Sequence, residues 1–93
     1  MLRRSLLFVP GIATQRFGKA KASGADAILF DLEDSVPPDA KGRAREAVCV
    51  ALSEGGFDSS EAAVRVNAPG TPFHEDDVRA TALAGAAAIM VPK

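Results

Sequence analysis

Four short apolar runs, at residues 5–9, 27–32, 62–66 and 87–92, alternate with three stretches of helical spacing. None of the runs shows the period-two alternation of a half-exposed strand, so each reads as a strand buried on both faces, as in a parallel sheet. The order is βαβαβαβ, an α/β chain. The first helix is short, with Thr14 as its cap and Gly24 as its stop. The second begins at Pro38 and Asp39 and carries the apolar stripe Ala40, Ala44, Ala47, Val48, Ala51 and Leu52 before Gly55 and Gly56 end it. Lys41, Arg45 and Glu46, on its other face, read as a solvated surface. The third follows Thr71 and Pro72, has Glu75, Asp76 and Asp77 in its first turn as complements to the helix dipole, and ends near Gly85. The stretch from Gly24 to Phe30 echoes Gly85 to Val91 in its order of helix stop, small residue and apolar strand, as two stations of one β/α repeat.

The strand ends change this picture from a plain core to a candidate site. The second run stops in Asp31, Leu32, Glu33 and Asp34, the third in Arg65 and Asn67, and the fourth in Lys93. Parallel strands joined by right-handed crossovers bring these groups, with Pro10 and Gly11, to one rim. Burying each charge costs several kcal/mol unless it is paired. Arg65, between Val64 and Val66, suits either a substrate carboxylate or a salt bridge to Asp31 or Glu33. Phe8 offers a flat wall, and the Gly11 turn offers backbone amides to an anion. His74 has no Cys or His at ligand spacing and reads as a helix-start residue. The mixture of carboxylates and cations suits a hydrated divalent ion beside an anionic substrate.

With 93 residues, 47% of them hydrophobic and 25% charged, the chain is globular material for a single domain over residues 1–93. Its net charge of −1 gives no reason to expect nucleic acid or an anionic membrane as partner. The lone Cys49 reads as a buried, reduced thiol, which fits a cytoplasmic protein. The apolar stretch after Arg3 and Arg4 is too short for a signal-peptide core or a membrane span. No GxGxxG, P-loop or GxSxG occurs. A strand ending in Asp31 with prolines following also suits a phosphoacceptor receiver domain, although the first strand lacks that domain's acidic pair.

Leu6-Leu7-Phe8-Val9-Pro10-Gly11, Ser23-Gly24-Ala25-Asp26-Ala27, Asp31-Leu32-Glu33-Asp34-Ser35-Val36, Arg65-Val66-Asn67 and Val91-Pro92-Lys93, in that order, resemble the N-terminal part of the citrate lyase β-subunit and malyl-CoA lyase group of the HpcH/HpaI aldolase family. The resemblance implies a (β/α)8 TIM barrel, of which this chain holds about the first four β/α units. It also implies a Mg²⁺-dependent carbon–carbon lyase or aldolase acting on a CoA thioester or 2-oxo acid. On that likeness Arg65, Glu33 and Asp34 are the catalytic candidates. Arg65 would bind the substrate carboxylate, Phe8 and Lys19 would contact CoA, and Lys93 would line the rim. The direct metal ligands would lie on later strands, with Glu33 and Asp34 near the ion's water shell. Many relatives carry arginine where this chain has Ala13, which leaves Arg16 or Lys19 to meet a CoA phosphate. Half a barrel implies a need for the rest of it or a homo-oligomer. A non-catalytic half-barrel serving assembly or regulation is the other reading, and the 93 residues alone are expected to be inactive.

Overall fold

A computed structural model describes residues 5–57 and 60–92, and Lys93 lies outside the described residues. Strand β1 (Leu6–Pro10) leads through a 3₁₀ turn into helix α1 (Phe17–Lys21). Strand β2 (Ala27–Asp31) is followed by helix α2 (Lys41–Glu54), β3 (Glu61–Arg65), α3 (His74–Ala84) and β4 (Ala88–Met90). All three strand pairings are parallel and join neighbours in sequence, giving the sheet order β1-β2-β3-β4. A receiver domain winds both ways from its first strand and places β1 between β2 and β3. The unreversed order is that of a barrel, and it overturns the receiver reading.

The helices cover one face of the sheet. Val9, Ile28, Phe30, Ala62 and Val64 meet Phe17 and Ala20 of α1 and Ala44, Val48, Ala51 and Leu52 of α2 in one core. Phe30 is its centre, with the Phe17 ring edge-on at 5.0 Å and Phe57 at 6.1 Å. The apolar stripe expected for α2 is therefore the buried one. Cys49 on that helix is half-buried rather than fully buried. Burial pushes its thiol pKa up, with Arg45 opposing and Asp77 adding to the rise.

The opposite face is bare. Leu6, Phe8 and Met90 are 63%, 39% and 49% exposed, while Leu29 of β2 on the same face is 5% exposed. Burial on both faces thus holds for most of β2 and fails for β1, β3 and β4, because β1 and β4 are sheet edges and, among the described residues, no layer covers the second face. Two smaller expectations also change. Thr14 lies inside the 3₁₀ turn Thr14–Arg16 and makes no capping bond, and the helical turn at Pro38 is a 3₁₀ segment through Ala40 that runs into α2. The echo between Gly24 and Gly85 is real in the backbone, since both have positive φ, 75° and 102°.

Candidate functional site

The register places Pro10, Asp31, Arg65 and Met90 side by side at the carboxyl end of the sheet. Successive side chains on a strand alternate faces, so Asp31 and Arg65 share the uncovered face with Phe8. The Arg65 Nε donates to Asp31 Oδ1 at 2.7 Å and lies 3.6 Å from Glu33 Oε1. Its guanidinium sits 5.6 Å from the Phe8 ring centre. The salt bridge left open by the sequence is therefore made. It uses only Nε, and no hydrogen bond engages the two terminal nitrogens among the described residues.

Asp31 is the anchor that sequence reasoning undervalued. It is fully buried, and its two oxygens accept from Arg65, from the Glu33 amide at 3.0 Å, and from the Ser35 amide and hydroxyl at 2.8 and 2.7 Å. Burial alone would raise its pKa, but the bonds from Arg65, Ser35 and Glu33 together win and hold it at about 2. The same bond to Asp31 is the largest cause of a raised Arg65 pKa. Of the other expected residues, Glu33 reaches the rim with its side chain 30% exposed. Asp34 is exposed beside it, and Lys19 is exposed on α1 with no bond tying it to the rim among the described residues.

Two residues assigned to solvent, Lys41 and Arg45, are drawn inward, and Asp77 is more than a dipole complement. Lys41 is 8% exposed and its Nζ donates to the carbonyls of Leu32, Glu33 and Val36. Asp77, in the acidic turn of α3, is fully buried and accepts from the Asn67 amide at 3.0 Å, from Asn67 Nδ2 at 2.6 Å and from Arg45 Nη1 at 3.2 Å. These bonds lash α2 and α3 to the end of β3, which explains why Arg45 is only partly exposed. His74 Nδ1 lies 2.7 Å from the Asn67 carbonyl, and because a carbonyl only accepts, Nδ1 donates in this contact.

Gly11 serves contact rather than anion binding. Its amide donates to the Asp31 carbonyl at 2.8 Å, and the Ala13 amide is likewise used by Pro10. A Cβ on Gly11 would stand 2.8 Å from that Asp31 carbonyl oxygen and 3.2 Å from Ala44. Gly11→Ala is expected to cost about 1–3 kcal/mol by overpacking, read as a lowered urea midpoint at unchanged m-value. A midpoint equal to wild type would show that the turn yields freely.

Among the described residues no three His, Cys, Asp or Glu side chains are grouped to hold a metal ion. Asp31, the best-placed carboxylate, has both oxygens committed to protein donors. These residues therefore do not make a metal site by themselves. No helix among them is long and apolar enough to cross a membrane.

Residues 4–93 match the family model for HpcH/HpaI aldolase/citrate lyase. The citrate lyase subunit beta of Leuconostoc mesenteroides subsp. cremoris is 44% identical over 92 residues, covering 99% of this chain and 30% of that protein. A (3S)-malyl-CoA thioesterase of Cereibacter sphaeroides is 40% identical over 90 residues, covering 97% of this chain and 32% of that one. The crystal structure of CitE from Mycobacterium tuberculosis with magnesium and acetoacetate superposes with a TM-score of 0.76 at 36% identity, over 95% of this chain and 35% of that one. The chain thus spans about a third of the length of the relatives it matches. With its sheet in barrel order and this likeness along almost its whole length, the chain belongs to the HpcH/HpaI aldolase/citrate lyase family.

Proposed function

We propose that these residues form the opening β/α units of a magnesium-dependent carbon–carbon lyase acting on a CoA thioester or a 2-oxo acid, with Arg65 holding the carboxylate of the oxo acid. One observation carries this reading. Asp31 grips Arg65 through Nε alone, so the guanidinium is fixed in direction while its terminal nitrogens stay available for a bidentate bond to a carboxylate. Phe8 braces the guanidinium from beneath, and the mainly apolar remainder of the bare face would exclude water once covered. Relatives named for citrate and malyl-CoA chemistry, and the binding of acetoacetate with magnesium by the structural neighbour, agree with such a substrate.

Magnesium, when bound, supplies a Lewis acid for charge that develops on an oxo or enolate oxygen. Its direct ligands would come from outside these 93 residues, with Glu33 and Asp34 accepting hydrogen bonds from its waters. Lys19 and Lys93 would meet the CoA portion and the rim. The test is acetyl-CoA release from malyl-CoA and citryl-CoA with Mg²⁺. It compares the 93 residues alone with a protein in which the remaining barrel of the same reading frame follows them. Turnover is expected only in the longer protein. Turnover by the 93 residues, or none by the longer protein on any 3-hydroxyacyl-CoA, would refute the reading.

A further inference from the structure

Lys41 opens α2, yet its ammonium does not face water. Its Nζ lies 3.1 Å from the Leu32 carbonyl, 2.9 Å from that of Glu33 and 2.9 Å from that of Val36. Three acceptors around one nitrogen use all three donors of an ammonium. No carboxylate pairs with it among the described residues, and the Phe73 ring lies 5.7 Å away. A buried charge needs compensation, and here it comes entirely from the dipoles of one loop.

That loop is the segment bearing Glu33 and Asp34. Its carbonyls are gathered by Lys41, and its amides at Glu33 and Ser35 are gathered by Asp31. Asp31 Oδ2 takes both bonds from Ser35 while Oδ1 receives Arg65 Nε. Movement of the loop would therefore turn the Asp31 carboxylate and release the guanidinium. We infer that Lys41 is a positioning residue, which holds the loop at residues 32–36 so that Asp31 aims Arg65 and Glu33 stays beside it. The consequence for ligand binding rests on the reading of Arg65 given above. The geometric consequence does not.

The experiment uses Lys41→Met and Lys41→Gln in the intact protein. Solvent exchange of the Arg65 Nε–H is followed by NMR, with the buried Ile28 and Val64 amides as reporters of the fold and Lys41→Arg as the rescue variant. Exchange at Arg65 is expected to accelerate at least tenfold while Ile28 and Val64 keep their protection, with Lys41→Arg recovering part of the difference. In the same variants the Kd for oxaloacetate with Mg²⁺ should rise about tenfold. Wild-type exchange at Arg65 in folded variants would overturn the inference. So would loss of protection throughout β2 and β3 in both variants, since Lys41 would then be a residue of general stability. A wild-type protein that binds no oxo acid defeats the functional reading, while the exchange measurement, which needs no ligand, still decides for or against Lys41.

Discussion

Asp31→Asn is expected to lower stability by about 3 kcal/mol, toward the lower end for breaking a buried ion pair because Arg65 stays partly solvated. Every partner of Asp31 is a donor, so an amide nitrogen in place of either oxygen sets donor against donor at Arg65 or at Ser35. The acid limb of the stability curve should change with it. The Asp31 pKa is about 2 in the folded chain against an ordinary 3.8, so ionised Asp31 favours the fold above about pH 4. That contribution is lost as pH falls through 2 and amounts to about 2 to 3 kcal/mol. Urea unfolding between pH 7 and pH 2 should show this share in wild type and not in Asp31→Asn. Parallel acid limbs in the two proteins would place the lowered pKa elsewhere.

Arg65→Ala, in a protein with the complete barrel, is expected to cut kcat/KM for the oxo-acid direction by about thirtyfold to a thousandfold, which is on the order of 2 to 4 kcal/mol for a charge-assisted bidentate pair. Arg65→Lys separates the two uses of the side chain. An ammonium can pair with Asp31 or with a substrate carboxylate, but it lacks the planar fork that serves both at once. The lysine variant should therefore keep much of the stability lost in Arg65→Ala and little of the kcat/KM. If Arg65→Ala leaves kcat/KM unchanged, the residue is a structural partner of Asp31 only.

The elements and the rim were legible because periodicity and strand ends are local signals: each strand and helix overlaps the segment its apolar pattern marked, with shifted ends at α1, α2 and β4, and Asp31, Glu33 and Arg65 meet at one edge. What was not legible depends on partners distant in sequence. Lys41 and Arg45 stand four apart on the polar side of α2, and nothing in that spacing distinguishes a solvated pair from one that reaches a loop and a neighbouring helix. Asp77 fits the pattern of a dipole complement, yet its role comes from Asn67 and Arg45, ten and 32 residues away. The purpose of Gly11 was hidden for the same reason, since the atom that forbids a Cβ there belongs to Asp31. The partial exposure of β1, β3 and β4 depends on which layers are present, and an apolar run carries no record of that.

The unreversed strand order also bears on how the chain reaches its fold. Each strand pairs with the one made just before it, so a partner is already present when a new strand leaves the ribosome and only one intervening helix has to be spanned. Assembly can advance one β/α unit at a time from the N-terminus, with the Phe30 cluster closing once β3 has joined β1, β2, α1 and α2. The growing sheet then carries a temporary hazard on its bare side. Leu6, Phe8 and Met90 stay exposed for as long as nothing packs on that face, and apolar surface of this kind is what makes a partly assembled sheet prone to aggregate.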